Sequence, residues 1–372
     1  MNRIQGKDVY IAGVGSFSPG DPIPFDDIER VLGPLTEAPP KLQRWIERIR
    51  PIMKEMLNLS HYHYALDPRT RKPTEDNVTM AVKSAHKAMS MAGVGPGDID
   101  LILYAGIVME NICPPTSVLV QDALNVKHCA EFSIHSNCTC IYKALQVGSD
   151  LLANGRYKTA LLVTSQISSA FLRAEYFNQA KLEQADVGLR WFLCDGAGAL
   201  VLTTDPGRAA TGLKVVDTYI ESAGVGLGPD MYCRVGGHRI APREIYAEGI
   251  HHLKQNFHQV ARLGPPLYIQ AWANMVKATG LDLARVKHFI MNIPTKHMND
   301  LALEILGKEF DLKKVNFYTK LSERGYPGPC AILLALDNFL KDVKMQRGDL
   351  VVSTVTESSK WMHGGFVLEQ IR

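Results

Sequence analysis

The segment of residues 130–155 constrains the fold of this chain most, because a cysteine in it joins an apolar strand to an amphipathic helix. The segment reads AEFSIHSNCTCIYKALQVGSDLLANG, and Cys138 lies where the strand pattern ends. The apolar residues that follow recur at helical spacing, and Gly155 has the position of a helix C-terminal cap. Residues 158–164, KTALLVT, have the pattern of a buried strand. Cys138 is therefore predicted to lie in a turn between a strand and a helix N-terminus.

That position suggests a chemical role for Cys138. The exposed N–H groups and the dipole of a helix N-terminus favour a thiolate, which is the nucleophilic form of cysteine. We therefore predict that Cys138 is a nucleophile for thioester chemistry, the alternative being a buried structural cysteine. Cys140 lies two residues further along and is predicted to pack. His135, three residues back on the strand, is poorly placed to be a base.

Strands and helices alternate along the rest of the chain, which predicts an α/β fold with mostly parallel sheets. The strand patterns lie at residues 8–15, 100–104, 288–291, 315–318, 350–354 and 365–371. The helical patterns lie at residues 74–93, 116–124, 296–306 and 326–340.

Composition excludes several classes of protein. The 372 residues, 46% hydrophobic and 21% charged, are enough for a large core in two structural halves. A net charge of +3 without a long basic block does not indicate a nucleic-acid partner, and no apolar stretch is long enough to span a membrane. The seven cysteines are scattered and odd in number, and the Cys138–Thr139–Cys140 spacing is not a zinc pattern. We therefore expect reduced thiols, no bound metal and a cytoplasmic protein.

Three further segments, in a fixed order around the cysteine, indicate a family. They are ENICPPTSVLVQDAL (110–124), LCDGAGALVL (193–202) and SSKWMHGGFVLEQIR (358–372). Together with the Cys138 segment they resemble the thiolase superfamily, and β-ketoacyl-acyl-carrier-protein synthase III most closely. The DGAGA run at residues 195–199 is the most diagnostic match, and the resemblance extends from about Val9 to the C-terminus.

The resemblance implies a five-layered α/β/α/β/α fold built from two similar halves, residues 1–205 and 206–372. Its two central helices would follow Cys138 and Pro329. No cofactor is implied, because coenzyme A or phosphopantetheine would carry the substrate as a thioester.

Three segments interrupt the family pattern. Residues 57–74 carry paired aromatic residues and a charge-rich run, and are expected to form a surface excursion. Residues 168–190 and 224–243 are expected to cap the substrate tunnel, the alternative for each segment being an ordinary surface loop.

Family members assist the cysteine with a histidine and an asparagine that stabilise the enolate formed by decarboxylation. At the matching positions this chain has Asn292, in HFIMNIPTKHMND, and Tyr326, in RGYPGPCAILLAL. Both side chains can donate a hydrogen bond, so we assign them to substrate binding; the alternative is that they only fill space. The departure predicts that decarboxylative condensation is weak or absent, while the nucleophile is retained.

Two other residues are candidates for the missing base. His297 lies five residues after Asn292, and its alternative is a surface histidine near a helix start. Glu110 lies on the loop of residues 106–115, which in the family lies at the dimer interface and reaches the tunnel of the partner. The alternative for Glu110 is a solvated carboxylate.

The resemblance also implies how the thioester is held. Trp45 and Arg48, in RWIERIR, resemble an arm that stacks on the nucleotide of coenzyme A, the alternative being surface helix packing. The oxyanion hole would combine the backbone N–H of Cys138 with one from the loop TESSKWMHGGF (356–366), in which two adjacent glycines remain.

The leading prediction is a homodimeric, cysteine-dependent acyl-thioester transferase or non-decarboxylating condensing enzyme that acts through an acyl-Cys138 intermediate. Its partners would be acyl-CoA or an acyl carrier protein, in fatty acid or polyketide-type biosynthesis, and strand 158–164 would lie at the dimer edge. One alternative is a Claisen-condensing synthase III-like enzyme with a displaced base. The other is a non-catalytic thiolase-fold subunit that supports an active partner.

Overall fold

The computed structural model describes residues 6–235, 240–308, 311 and 313–372. Its strands are β1 (Val9–Phe17), β2 (Leu101–Gly106), β3 (Ala130–His135), β4 (Thr159–Gln166), β5 (Gly196–Thr203), β6 (Leu213–Ser222), β7 (Met231–Tyr232), β8 (Lys254–Gln255), β9 (Val286–Ile290), β10 (Asn316–Tyr318), β11 (Leu350–Glu357) and β12 (Met362–Gln370). Its α-helices are α1 (Ile28–Leu32), α2 (Pro40–Leu57), α3 (Asn77–Ala92), α4 (Thr116–Ala123), α5 (Cys140–Ala153), α6 (Ser169–Leu172), α7 (Gln184–Val187), α8 (Pro242–Ala247), α9 (Phe257–Thr279), α10 (Lys296–Leu306), α11 (Leu321–Arg324) and α12 (Ala331–Asp342).

The strand order shows that the two halves have the same topology. The N-terminal half has the order β1-β5-β4-β2-β3, and the C-terminal half has the order β6-β12-β11-β9-β10. In each half the first two pairings are antiparallel and the last two are parallel. The sheets are therefore mixed rather than mostly parallel. The halves join where β1 pairs with β6, and the predicted boundary at residues 205 and 206, which falls between β5 and β6, stays a prediction.

The layers follow from which helices contact which strands. Helices α5 and α12 lie between the two halves and share the largest apolar core with both sheets. Helix α3 covers the outer face of the N-terminal sheet, and α9 covers the outer face of the C-terminal sheet. The predicted five-layered thiolase-like fold is thereby confirmed.

The glycines of the DGAGA run allow β5 to approach the segment around α12. A Cβ atom on Gly198 would lie 2.5 Å from the Cβ of Leu333, and one on Gly196 would lie 2.9 Å from the Cβ of Pro327. Both distances are shorter than van der Waals contact, so only glycine fits at these two positions. The motif therefore reports a close approach of the two halves beside the cysteine.

Two expectations about the surface are wrong. The expected surface excursion at residues 57–74 is wrong for the aromatic part, because Tyr62 and Tyr64 are fully buried and the N–H of Ala65 donates to Asp195 of the DGAGA run. The paired aromatic residues are core residues. The charge-rich run of residues 67–73 is partly or fully exposed, as predicted. Strand β4 is not the sheet edge either: it lies between β2 and β5 and is wholly buried, and the edge strand of this half is β3.

Residues 168–190, one of the segments expected to cap the tunnel, pack against segment 57–74. Residues 168–190 form short helical turns whose apolar side chains join a core cluster with the aromatic residues of segment 57–74. Within the segment expected at residues 224–243, residues 236–239 lie outside the described residues.

In the part of the chain that the structure describes, no helix combines the length and the apolar character needed to cross a membrane.

Candidate active site

Cys138 lies in the turn between β3 and α5, as the sequence pattern predicts. Its side chain is half-buried, and its Sγ lies 3.5 Å from the Oη of Tyr326. Tyr326 comes from the C-terminal half, in the segment that leads into α12, and its side chain is almost completely buried. The structure thus brings together two residues that are 188 positions apart in sequence.

Asn292 follows β9 and is also buried. Its Nδ2 donates to the Oη of Tyr142 over 3.2 Å, and that Oη lies 2.8 Å from the Oγ of Ser353. Its Oδ1 has no hydrogen-bond partner among the described residues. Because Tyr142 belongs to α5, Asn292 is linked to the helix that begins next to Cys138.

Asn292 and Tyr326 line the same cavity, which has a volume of about 300 Å³ including its open mouth. Lys320 and Arg324 contribute cationic side chains to its wall, and the remaining wall is mostly apolar. The two residues predicted to stand in place of the family's histidine and asparagine therefore line one cavity, and one of them, Tyr326, contacts Cys138.

Glu357, at the end of β11, is a residue of the site that the sequence analysis missed. Its carboxylate accepts hydrogen bonds from the backbone N–H of Asn137 (3.2 Å) and of Thr139 (2.9 Å). It also accepts from the hydroxyls of Ser136 (3.1 Å), Thr139 (2.6 Å) and Ser359. No local pattern in β11 (LVVSTVTE) marks it, because the residues it contacts in the turn lie about 220 positions away.

Glu357 changes the expected chemistry of the cysteine. Burial, followed by the negative charge of Glu357, raises the pKa of the Cys138 thiol to about 12, and the hydrogen bond from Tyr326 opposes the rise. This direction is opposite to the one expected from a helix N-terminus, because burial and then the charge of Glu357, which occupies amides of the turn, disfavour the thiolate. At neutral pH the side chain of Cys138 is therefore a thiol.

The two candidate bases, Glu110 and His297, differ in burial and in hydrogen bonding. The Oε2 of Glu110 accepts from the N–H of Asn77, at the start of α3, over 3.0 Å, and Glu110 is half-buried. His297 is exposed in the first turn of α10. Within the described chain neither is hydrogen-bonded to Cys138, so their roles stay predictions.

Of the two residues predicted to hold the nucleotide, Trp45 and Arg48, only Arg48 is exposed. Trp45 is half-buried and lies against Trp191, with ring centroids 5.9 Å apart and planes tilted by 30°. Arg48 is exposed on the same helix, α2. The aromatic contact supports the alternative of helix packing for Trp45, and nucleotide binding stays a prediction for both residues.

The glycines expected in a loop are strand residues. Gly364 and Gly365 belong to β12, where they pair with Val355 and Thr354. A Cβ atom on Gly364 would lie 2.9 Å from the Cβ of Tyr142, so this glycine allows close packing of β12 on α5. The turn that joins β11 and β12 is confined to residues 358–361, which lie next to Glu357.

The comparisons with known proteins agree with this geometry. Residues 132–224 match the family described as 3-oxoacyl-[acyl-carrier-protein (ACP)] synthase III. The β-ketoacyl-[acyl-carrier-protein] synthase III of Bradyrhizobium diazoefficiens is 28% identical over 77% of this chain and 80% of its own. The protein of that name from Symbiobacterium thermophilum is 25% identical over 93% of each chain. The solved structure of AbyA1, a tetronic acid condensing enzyme, has a TM-score of 0.80 at 21% identity, covering 97% of this chain and 99% of its own.

The chain is therefore similar in sequence to β-ketoacyl-acyl-carrier-protein synthase III proteins and has the thiolase fold. The predicted enzyme class, a ketoacyl synthase III-like acyltransferase, is confirmed by these relatives. The matched segment 132–224 includes both the cysteine turn and the DGAGA run.

Proposed function

We propose that Cys138 takes an acyl group from a coenzyme A or carrier-protein thioester and passes it to a second nucleophile without decarboxylation. The observation that supports this most is the 3.5 Å separation of Cys138 Sγ and Tyr326 Oη beside a cavity that Asn292 also lines. The phenol and the amide line one cavity and the thiol contacts the phenol, and this set suits binding and transfer of a thioester carbonyl better than stabilisation of an enolate.

The acylation step balances without an added reactant. Cys138 Sγ forms a bond to the thioester carbonyl carbon, and the bond from that carbon to the carrier sulfur breaks. The thiol proton of Cys138 leaves with the carrier sulfur, so the products are acyl-Cys138 and a free carrier thiol. The phenol of Tyr326 is a hydrogen-bond donor at neutral pH, because burial and the nearby Cys138 raise its pKa.

The transfer step needs a proton acceptor when the second nucleophile arrives protonated. In this proposal Glu110 of the partner subunit or His297 of the same chain takes that proton, and the acceptor forms its bond to the acyl carbon as the bond to Cys138 Sγ breaks. The proton then returns to the sulfur of Cys138. The protein acts as a homodimer in the cytoplasm, and Trp45 and Arg48 hold the nucleotide when the carrier is coenzyme A.

A second candidate function is a non-catalytic subunit of the same fold. It is favoured by the pKa of about 12 for Cys138 and by Glu357, which places a negative charge beside the thiol. A subunit of this kind would retain the fold and the substrate cavity but would form no acyl adduct, which separates the two candidates experimentally.

The proposal is tested by supplying malonyl-CoA and malonyl-carrier protein to the wild-type protein and to C138S, and by measuring the release of carbon dioxide. We expect release by the wild type to be no greater than release by C138S, because the loss of even one donor to the developing anion costs on the order of a hundredfold in rate. Robust release that depends on Cys138 would instead establish the Claisen-condensing alternative.

A further inference from the structure

We propose that Glu357 is the positioning residue of the nucleophile turn: its carboxylate holds the amides on both sides of Cys138 and leaves the Cys138 N–H for the carbonyl oxygen of the acyl thioester. The inference rests on the proposed function, since it names what orients the nucleophile of that function. It assigns a role to a residue at the end of β11 that belongs to the other half of the fold.

Glu357 accepts backbone hydrogen bonds from the residues on either side of Cys138. Glu357 Oε1 accepts from the N–H of Asn137 over 3.2 Å, and Oε2 accepts from the N–H of Thr139 over 2.9 Å. The N–H of Cys138, between these two, is directed at its own Sγ and donates to no other group among the described residues. Fixing the residues before and after Cys138 therefore fixes its backbone while one donor is kept for substrate.

The bonds to hydroxyl groups make Glu357 a rigid acceptor. The Oε2 atom also accepts from the hydroxyls of Thr139 (2.6 Å) and Ser136 (3.1 Å), while Oε1 accepts from Ser359. The side chain is only 1% exposed. A buried carboxylate with five donors has little freedom to move, and charge-assisted bonds of this kind are stronger than neutral ones.

The charged and titratable groups around Cys138 show how Glu357 affects the pKa of the thiol. Lys143 of α5 donates to the Oγ of Ser136 over 2.8 Å and so approaches the same network from the other side. Tyr142 and Tyr326 are neutral at pH 7, because burial raises the pKa of both phenols. Glu357 is therefore the anion next to the thiol, and the pKa of Cys138 is raised by it as well as by burial.

Glu357 orients the turn, which favours acylation, and its charge raises the thiol pKa, which disfavours the thiolate. A variant of Glu357 is therefore expected to change acylation and alkylation in opposite directions. In E357Q the turn loses an acceptor, because the amide nitrogen of glutamine faces a backbone N–H, and the thiol loses its anionic neighbour. In E357D the charge is kept but the shorter side chain cannot reach both amides. The control E55Q changes an exposed glutamate on α2 and leaves Glu357 and its bonds to the turn unchanged.

The experiment measures two rates for each variant: alkylation of Cys138 by iodoacetamide from pH 7 to 10, followed by peptide mass mapping, and self-acylation by acyl-CoA at saturation. Alkylation requires the thiolate, and its rate rises about tenfold for each unit by which the thiol pKa falls. We expect E357Q to be alkylated several-fold faster than wild type at the same pH and yet to self-acylate on the order of tenfold more slowly. E357D should be alkylated at the wild-type rate and self-acylate slowly, and E55Q should match wild type in both assays.

The proposal is overturned if E357Q matches wild type in both assays, or if E357D is alkylated as fast as E357Q, since exposure of the thiol would then explain the change. Thermal unfolding of each variant identifies one that does not fold, and E357D then serves as the test. If wild-type Cys138 is acylated by no thioester, the proposed function fails, while the alkylation profiles still decide whether Glu357 governs the thiol.

Discussion

At the scale of single residues, the site consists of a few side chains that are distant in sequence and adjacent in space. Cys138 was identified from its local strand–turn–helix pattern, which the structure reproduces. Asn292 and Tyr326 were identified from the resemblance, and they face one cavity. Glu357 was missed because its role depends on contacts to residues about 220 positions away, which no local pattern encodes.

The first prediction concerns the base that accepts the proton of the second nucleophile. We expect E110Q or H297Q to leave self-acylation of Cys138 intact while lowering transfer to an acceptor on the order of a hundredfold, the usual contribution of a general base. In E110Q the glutamine oxygen can still accept from the N–H of Asn77, so the α3 terminus is retained. Single-turnover kinetics of the pre-acylated protein measure the transfer step separately.

Matched controls for these variants are E55Q and H86Q, which change exposed residues of the same types. Both are expected to transfer at the wild-type rate. If E110Q and H297Q also transfer at that rate, the base is a different group or the acceptor arrives already ionised, and the roles assigned to Glu110 and His297 are wrong.

At the scale of elements, the site depends on the close approach of β5, α5 and α12. Gly148 of α5 lies against leucine side chains of β2, β4 and β5, and Gly198 of β5 lies against Leu333 of α12. The glycines therefore set the separation of the layers that carry Cys138 and Tyr326.

The second prediction is that G198A destabilises the fold. The added Cβ would lie 2.5 Å from the Cβ of Leu333, so β5 or α12 must shift. Overpacking of this kind typically costs about 1–3 kcal/mol. Urea unfolding should therefore show a lower midpoint for G198A, while the control G97A, whose Cβ would meet no atom within 4 Å, should unfold close to wild type. Equal midpoints for the two variants would contradict the proposed close approach.

Most elements could be predicted from sequence because their periodicity is local. The helix predicted at residues 296–306 has those bounds as α10, and the strand predicted at residues 288–291 overlaps β9. The wrong predictions concerned where β4 and segment 57–74 lie relative to other elements. The apolar run of β4 signals burial on both faces, which excludes an edge, and the tyrosines of segment 57–74 pack against residues far along the chain.

At the scale of the whole molecule, the edge strand β3 and the loop before α4 expose apolar side chains next to the nucleophile turn. Ile112 is 98% exposed, Phe132 is 46% exposed and Met109 is 42% exposed. The residues after β3 lead directly to Cys138, so a partner that covers this face would adjoin the site. We therefore expect the predicted homodimer to form across β3.

The third prediction is that the protein is a dimer at micromolar concentration, as measured by light scattering, and that I112E or F132E shifts it toward the monomer. A charged side chain on a buried apolar interface loses its hydration without gaining a partner, which weakens association. The control V225E places the same charge on a residue that is 93% exposed and belongs to neither β3 nor the loop 106–115, and should leave the dimer intact. A wild-type protein that is monomeric at this concentration would contradict the prediction.

The central claim, that Cys138 carries the acyl group, is tested most directly by intact-protein mass spectrometry after incubation with a panel of acyl-CoA thioesters. We expect a mass increase of one acyl group on the wild type, located on the peptide that contains Cys138, and no increase on C138S with the same thioester. An adduct that persists on another cysteine of C138S, or the absence of an adduct on the wild type with every thioester tested, would show that Cys138 does not carry the acyl group.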